Sequence, residues 1–424
     1  MNSPGSNSAS PNTTGDALAG LDAPVPAGLR EGPIYLDYNS TTPVDPRVAE
    51  AMLPFLTEHF GNPSSGHPYA DRPHRALAVA RGRLTALIGA ASEEVVFTGS
   101  GSEADALAII GAVLTHRDPG QVHVVTQATE HPAVLEACRA LQRRHGTAIT
   151  YLPVDAHGRV DPADLARALT PRTALVSIMA ANNETGVLQP IAELAAAAHE
   201  HGALLHTDAA QAVGKIPIDA ARLGVDLLTV AGHKLYAPKG IGALYVRTGV
   251  LLEPLIPGGG QEHGLRAGTE NVALAVALGT AADLAQHELD HGGPDRMARL
   301  RDLLARRLNR LLPGLLTRTG HPDHLLPATL HITIDGAGGD DVLAATPAIA
   351  GATGSACHEG SREPSPVLLA MGQGHDQALS ALRLSVGRWT TPEQIERAAD
   401  AIAATVDKLT STPATRGNKT ANRQ

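Results

Sequence analysis

The chain has 424 residues, 43% of them hydrophobic and 18% charged, and a formal net charge of −9 at pH 7. This length accommodates about two domains with a sizeable core, and the composition excludes a disordered or fibrous protein. The acidic balance argues against nucleic-acid binding, and no apolar run reaches the roughly 18 to 20 residues that span a bilayer. The sequence therefore predicts a globular protein with neither a nucleic-acid nor a membrane partner.

Cysteines and histidines indicate neither a disulfide framework nor a metal site. The two cysteines, Cys138 and Cys357, form no CxxC pair, and no HExxH motif occurs. His321 and His324 stand in a proline-flanked loop. We therefore predict no metal centre.

The two ends of the chain differ in composition from the rest. Residues 1–32 are rich in Ser, Pro, Gly and Asn, contain Arg30 as their only base, and lack an apolar segment of signal-peptide length. Residues 411–424 are similarly polar. These compositions predict disordered extensions on a cytoplasmic protein.

The folded part begins with a strand predicted at 34–38 and helices predicted at 45–58 and 71–88. Between the helices lies a polar loop at 61–67, whose composition favours a functional loop over a simple connector.

A strand at 94–98 is followed by a turn of small residues at 99–104 and a helix that runs to Leu114. Backbone N–H groups at such a turn bind anions such as phosphate. The turn also satisfies the dinucleotide fingerprint G-x-G-x-x-A, so a NAD-dependent dehydrogenase is an alternative hypothesis. The acid that would complete this motif, Glu130, lies later than the roughly 20-residue spacing requires.

Strands and helices then alternate up to residue 246. The predicted strands are 122–126, 148–152, 173–180, 203–207, the run from Val225 that Gly232 stops, and 241–246, and the predicted helices are 132–145, 162–169 and 191–201. This alternation predicts a mostly parallel sheet with helices on both faces and ligands at the carboxyl ends of the strands. Five of these ends carry polar or ionisable groups, namely Ser100 to Ser102, Glu130 with His131, Asn182 with Asn183, Asp208 with Gln211, and His233 with Lys234.

After residue 246 the pattern changes. A glycine-rich loop spans 257–269 and is followed by a second set of elements, namely helices near 271–290 and 294–312, a strand at 328–334, a helical stretch near 340–349, a strand at 382–386 and a last helix at 392–409. This set predicts a smaller α+β domain.

Lys234 ends the apolar run that begins at Val225, and Asp208 ends a neighbouring strand. A lysine in this place is a phosphate ligand, an ion-pair partner or a Schiff-base nucleophile, and a buried carboxylate pairs with a cation such as a pyridinium nitrogen. With an anion-binding turn at residues 100–102, this is the set of groups that pyridoxal phosphate requires.

The chain from about Ile34 to Leu409 resembles the class V aminotransferase-like cysteine desulfurases, specifically the group with a long loop after the catalytic cysteine. The segments that carry the resemblance are, in chain order, YLDYNSTTPVDPRV, GNPSSGH, ATEH, ANNETGV, HTDAAQAVGK, GHKLYAPKGIGALYVR, GGGQE, RAGTEN, TGSACH, EPSPVLLAMG and ALRLSVGRWTT. The resemblance implies the type I fold of pyridoxal-phosphate-dependent transferases, an α/β fold whose large domain has a mostly parallel mixed sheet flanked by helices, and a homodimer with shared active sites.

The expected organisation is an extension at 1–32, an N-terminal segment joining the small domain at 33–47, a large cofactor-binding domain at 48–290, a small domain with the cysteine loop at 291–410, and a tail at 411–424.

The resemblance also implies roles for individual residues. Lys234 would form the Schiff base with pyridoxal 5′-phosphate, Asp208 would pair with its pyridine nitrogen, and His131 would stack on the ring and move protons. Further cofactor contacts are implied for Gly101, Ser102, Ala231, Gly232 and His233 around the phosphate, for Gln211 and Asn183 at the phenolic oxygen, and for Thr269 of the other subunit. Arg383 would clamp the substrate carboxylate as a bidentate fork, in a pocket that Asn39 and Asn183 also line.

Cys357 lies in a stretch dominated by glycine and alanine, which predicts a mobile, exposed loop. The resemblance makes its thiolate the nucleophile that takes sulfur from L-cysteine, releases L-alanine and holds a persulfide for an acceptor protein in iron–sulfur cluster assembly or thiolation. It also allows Cys357 to be a transient iron–sulfur ligand. Cys138, in contrast, shares a helix face with Val134 and Leu141 and is predicted to lie in the core.

Four positions depart from the pattern of this family. Ala231 stands where serine is common, Ser102 where threonine is usual, Ala106 where asparagine is frequent and Ala237 where glycine is frequent. We expect Ala231 to cost one hydrogen bond to the phosphate. Selenocysteine lyase shares every functional group named above, including a histidine after the cysteine, here His358, and is the nearest alternative function.

Overall fold

The computed structural model of the chain describes residues 23–354 and 363–411. Most of the two expected extensions and the segment that carries Cys357 and His358 lie outside these ranges. Among the helices of residues 23–354 and 363–411, none combines the length and apolarity needed to cross a bilayer.

The described residues contain twelve strands and fourteen α-helices. The strands are β1 Ile34–Tyr35, β2 Val95–Thr98, β3 His123–Gln127, β4 Ala148–Leu152, β5 Thr173–Ser177, β6 Leu204–Asp208, β7 Leu227–Ala231, β8 Gly242–Val246, β9 Leu316–Arg318, β10 Thr329–Ile334, β11 Ile349–Ala350 and β12 Ala381–Ser385. The helices are α1 Pro46–Met52, α2 Pro54–Thr57, α3 Asp71–Ile88, α4 Gly101–Leu114, α5 Pro132–His145, α6 Pro162–Ala168, α7 Ile191–Glu200, α8 Ala220–Leu223, α9 Val272–Asp290, α10 Gly293–Leu311, α11 Gly339–Ala344, α12 Pro366–Ala370, α13 His375–Leu379 and α14 Pro392–Ser411.

A seven-stranded sheet in the order β2-β8-β7-β6-β5-β3-β4 forms the larger half of the fold. The five strands from β4 to β7 in this order are parallel, whereas β8 is antiparallel to both of its neighbours. Every residue of β3, β7 and β8 is buried, as expected for strands covered on both faces. The prediction of a mostly parallel mixed sheet flanked by helices is confirmed.

The order of the strands contradicts the dinucleotide-binding alternative. That fold needs the strand before the glycine-rich turn and the strand after the following helix to belong to one parallel unit. Here β2 is an edge strand antiparallel to β8, and β3 lies near the opposite edge of the sheet. The turn at 99–104 therefore does not belong to a Rossmann unit, and the dehydrogenase hypothesis is wrong.

A second, antiparallel sheet has the order β12-β10-β9, and α10 and α14 pack together beside it. β1 pairs in parallel with β11, and Leu36 belongs to the same hydrophobic cluster as residues of β10 and β12. These contacts support the proposal that the N-terminal segment joins the smaller domain.

The predicted elements agree with the structure where the local pattern is strong. α3 buries Leu77, Leu84 and Ile88 on one face and ends at Gly89, whose φ of 65° favours glycine. The helix predicted at 45–58 is instead divided at Leu53, because Pro54 cannot donate the backbone hydrogen bond that would continue it. Cys138 is buried in α5, so the prediction that it lies in the core is confirmed.

A buried arginine connects the segments that surround the two sheets. Arg388, in the loop between β12 and α14, donates from Nε to Glu288 Oε1 at 2.6 Å and from Nη1 to Asp45 Oδ2 at 2.6 Å. Its guanidinium lies 4.0 Å from the centre of the Tyr236 ring, and its side chain has no exposed surface. Glu288 lies in α9 and Asp45 caps α1, so one side chain ties three distant parts of the chain together.

We predict that Arg388→Met destabilises the fold by about 3–5 kcal/mol, because it leaves the buried Glu288 carboxylate without its partner and removes one of the two arginines that pair with Asp45. Arg307→Met is the control, since Arg307 forms an exposed pair with Asp400 at 2.9 Å and its loss costs at most about 1 kcal/mol. Urea unfolding followed by circular dichroism measures both changes. Equal effects of the two substitutions would contradict the assigned role.

Candidate active site

A cavity of about 660 Å³ lies at the carboxyl ends of the parallel strands. It is lined by most of the residues that the sequence singled out, namely Asn39, Gly101, Ser102, His131, Asn183, Asp208, Gln211, Ala231, His233, Lys234 and Arg383. Residues from both sheets contribute, since Arg383 lies in β12 and Asp208 ends β6. The structure thus brings these side chains together in one place.

Two of the predicted site residues that the structure describes, Gly232 and Thr269, do not line this cavity. A Cβ atom on Gly232 would lie 2.7 Å from Ile241 Cγ2, so this glycine permits close packing at the end of β7. Thr269 is exposed on the surface of the chain, and its expected contact across a subunit boundary remains a prediction. Cys357 lies outside the described residues.

Lys234 ends a 3₁₀ turn, Gly232–Lys234, that directly follows β7. Its Nζ donates hydrogen bonds to the backbone oxygens of Asn39 at 2.7 Å and Ser40 at 2.6 Å. Burial and the charge of Arg383 lower the pKa of Lys234 to about 8, while Asp208 acts in the opposite direction. A lower pKa increases the neutral amine fraction, which is the nucleophilic form.

Asp208 is buried at the end of β6, where its Oδ1 accepts a hydrogen bond from Ala210 N at 2.9 Å. Burial raises the pKa of this carboxyl, against the effects of that hydrogen bond, His131 and Lys234. His131 caps α5, with Nδ1 accepting from Ala133 N at 3.2 Å, and burial lowers its pKa. The site therefore offers a carboxylate that lacks solvent and a neutral imidazole.

The same two residues, together with Asp105, are the one group of metal-ligand type in residues 23–354 and 363–411. Their candidate ligand atoms lie within 4.8 Å of one another. The positive charge of Lys234 acts on both His131 and Asp208, which disfavours a divalent cation between them. We therefore propose no metal site there.

The turn after β2 forms the N-terminus of α4, where Ser100 accepts a hydrogen bond from Glu103 N at 3.1 Å. The first amides of a helix have no partner within it and bind anions. Gly101 faces the end of β7, and a Cβ atom there would lie 3.0 Å from Ala231 Cβ. Because alanine carries no hydroxyl, β7 supplies no side-chain donor to this anion site at that position.

His233 lies beside the same cavity, with its Nδ1 3.1 Å from Thr41 Oγ1. Burial, followed by the charges of Lys234 and Lys239, lowers the pKa of His233 to about 4. The imidazole is therefore neutral at physiological pH and contributes a hydrogen bond rather than a charge.

Arg383 lies on the far wall, where Nη2 pairs with Asp37 Oδ1 at 2.7 Å and Nη1 donates to Asn183 O at 3.1 Å. Asn39 Nδ2 donates to the same oxygen at 3.2 Å. The buried Nε of Arg383 has no hydrogen-bond partner among the described residues. Nη1 and Nη2 each carry a second hydrogen that forms no hydrogen bond within the described residues, and a ligand carboxylate in the cavity could accept from these.

Sequence reasoning did not identify two buried acids of this cavity, Asp105 and Glu184. Asp105 stands four residues after Gly101 and so lies on the same face of α4, a spacing that could have indicated it. Desolvation and the charge of Asp208 raise its pKa well above the usual range. Glu184 directly follows Asn183, and its Oε2 accepts a hydrogen bond from Ser365 Oγ at 2.5 Å.

Comparisons with known proteins agree with this arrangement. The family described as Aminotransferase class-V matches residues 34–398. A cysteine desulfurase of Gluconacetobacter diazotrophicus is 48% identical over 385 residues, which cover 89% of this chain and 94% of the relative. "Cysteine desulfurase IscS" of Anaeromyxobacter dehalogenans is 44% identical over 380 residues, covering 89% of this chain and 93% of the relative.

Solved structures of similar proteins also match this chain over most of its length. A NifS-like protein matches with a TM-score of 0.81 and 32% identity, over 89% of this chain and 100% of the other. A structure described as SspA in complex with cysteine matches with a TM-score of 0.74 and 35% identity, over 84% of this chain and 99% of the other.

Glu184 provides a pH-dependent test of the site. Burial raises the pKa of the Glu184 carboxyl from 4.5 to about 7. When the pH lies between these two values, the carboxyl is deprotonated in the unfolded state but protonated in the folded state. The folded state therefore loses stability as the pH rises through this window, by up to about 3 kcal/mol once the pH exceeds 7. Glu184→Gln cannot ionise and should escape this loss.

We expect the urea midpoint of Glu184→Gln to rise relative to the unsubstituted chain between about pH 5 and pH 8. Glu193→Gln, which replaces an exposed acid in α7, is the control for the loss of one carboxylate from the surface. A constant difference between Glu184→Gln and the unsubstituted chain would show that Glu184 ionises normally.

Proposed function

The chain belongs to the class-V aminotransferase family and is a cysteine desulfurase, and we propose that it works with pyridoxal 5′-phosphate and passes sulfur from L-cysteine to Cys357. One observation carries this proposal. The amine of Lys234, the buried carboxylate of Asp208 and the N-terminus of α4 meet in a single cavity. Pyridoxal phosphate needs an amine for its aldehyde, an anion for its ring nitrogen and donors for its phosphate.

The residues of the cavity match this cofactor in their charges as well as in their functional groups. Asp208 is desolvated, and a pyridinium nitrogen would supply the counter-charge that the carboxylate lacks. The phosphate would be held by the first amides of α4 and by Ser102 and His233. Ala231 offers no hydroxyl there, so this phosphate site depends more on backbone donors than the family pattern suggests.

When bound, the cofactor supplies an electron sink that makes the proton on the substrate Cα acidic. Lys234 would hold the cofactor through its amine, and because its pKa is lowered to about 8, the same amine could also accept that proton. His131 stays neutral through burial and can also accept or return a proton. Arg383, with its unused donors, would bind the substrate carboxylate and fix which substrate bond faces the ring.

Cys357 would then act as the nucleophile. Its thiolate attacks the substrate sulfur, the substrate carbon–sulfur bond breaks, and the carbon receives a proton to become the methyl group of L-alanine. The residues on either side of the segment 355–362 support this role, because Gly354 and Glu363 both line the cavity.

We further propose that the enzyme is a homodimer. Leu53, Leu56, Phe60, Tyr69 and Val79 are each more than half exposed in the single chain. Large apolar side chains close together in sequence are typical of a surface that another subunit covers. The exposed Thr269 would reach the partner's site from such an assembly.

Two further parts of the proposal rest on the relatives and on composition. Relatives named IscS favour an acceptor protein that receives sulfur from Cys357, and the composition of the chain favours the cytoplasm as its location. The curated relatives reported above are cysteine desulfurases, which does not favour the selenocysteine lyase alternative.

The cysteine assignment can be tested with two matched variants. Cys357→Ser should retain the visible absorbance of bound pyridoxal phosphate but lose more than about 100-fold of its sulfur release from L-cysteine. Cys138→Ala should retain activity, because Cys138 is buried in α5 and burial raises its pKa to about 12. Sulfide and alanine assays measure the outcome. Full sulfur release by Cys357→Ser would refute the proposed nucleophile.

A further inference from the structure

Lys215 is a lysine that the mechanism above does not use. Its Nζ donates to Gln211 Oε1 at 2.5 Å and lies 3.4 Å from Asn39 Oδ1. Both of these partners line the cavity, whereas Lys215 lies behind them. Lys215 therefore contacts the site only through two of its members.

The Gln211 amide has only one orientation that satisfies its neighbours. When Lys215 is protonated, its ammonium group has donors and no acceptor, so the amide turns its oxygen toward Lys215. On the other side, Gln211 Nε2 donates to the backbone oxygen of Asn39 at 2.8 Å, and a carbonyl can only accept. The donors and acceptors around the Gln211 amide therefore determine which of its two terminal atoms is oxygen and which is nitrogen, although the two have similar shapes.

Two groups orient the Gln211 amide, Lys215 and the Asn39 carbonyl, and Lys215 is the more specific of the two. The Asn39 oxygen also accepts a hydrogen bond from Lys234 Nζ at 2.7 Å, so it serves two donors at once. Gln211 Oε1, in contrast, has Lys215 as its one hydrogen-bond partner in the described parts of the chain. The charged groups that act on Lys215 are Lys234 and Arg383, and burial with these charges lowers its pKa to about 7.

We propose that Lys215 is a positioning residue: it holds the Gln211 amide so that the second hydrogen of Nε2 is presented to the cavity as the donor for the cofactor's phenolic oxygen. This inference rests on the proposed function, since the phenolic oxygen belongs to pyridoxal phosphate. Without Lys215, the amide oxygen loses its hydrogen-bond partner, and only the contact of Nε2 with the Asn39 carbonyl still holds the amide. The second hydrogen of Nε2 is then less firmly aimed at the phenolic oxygen.

The test uses the pH at which the visible absorbance of the bound cofactor changes. Loss of the Gln211 donor destabilises negative charge on the phenolic oxygen, so Lys215→Met should raise this pH by about one unit, a ten-fold change in the equilibrium. Loss of the positive charge of Lys215 would also raise the pH at which the absorbance changes. The two causes are separated by repeating Lys215→Met in a Gln211→Ala background.

If Lys215 acts through Gln211 in addition to its charge, Lys215→Met should shift the titration clearly less in the Gln211→Ala background than in the unsubstituted enzyme. Lys215→Arg, which keeps donors and charge, should titrate close to the unsubstituted enzyme, and so should Lys239→Met, which removes an exposed lysine near His233. If Lys215→Met does not fold by circular dichroism, Lys215→Ala takes its place in the same comparison.

Two outcomes would overturn the inference: no shift in the single lysine variant, or a shift of equal size in both backgrounds, which would assign the effect to charge alone. Failure of the proposed function is recognised separately. In that case the unsubstituted chain would show no visible band with pyridoxal phosphate at any pH.

Discussion

Removal of water from Asp208 is the constraint on which the rest of the site depends. Burial raises the pKa of its carboxyl, and only the Ala210 amide, His131 and Lys234 oppose that effect. An anion in such a place is costly unless a cation meets it. The geometry that buries Asp208 also leaves a cavity in front of it, so the cost is offset when a cationic ring is bound there.

The sheet explains why a carboxylate and an amine meet at this point. β6 and β7 are parallel neighbours, with Asp208 opposite Thr229, so the chain that leaves β7 brings Lys234 to the same edge. The antiparallel β8 then pairs with both β7 and β2, which places the N-terminus of α4 beside Ala231. The smaller domain completes the site from the other side by contributing Arg383 in β12. In the proposed function, cofactor binding and substrate binding thus depend on residues from different sheets.

The sequence predicted those parts of the structure that local patterns determine. The bounds of α5 and β4 follow from apolar periodicity and flanking glycine, and the polar strand ends pointed to Asp208 and Lys234 before any contact was known. Distant contacts could not be predicted in this way. The pairing of Arg388 with Glu288 spans 100 positions, and the contact of Glu184 with Ser365 spans 181. Lys215 lies only four positions after Gln211, but its proposed role also depends on Asn39, which contacts both residues from 176 and 172 positions away.

The most direct test of this account is the protonation state of the pyridine nitrogen when the apoprotein is loaded with ¹⁵N-labelled pyridoxal phosphate. Nuclear magnetic resonance should show a protonated nitrogen in the unsubstituted protein and an unprotonated one in Asp208→Asn, whose neutral amide cannot stabilise the cation. The same nitrogen chemical shift in both proteins would contradict the claim that the buried carboxylate of Asp208 organises the site.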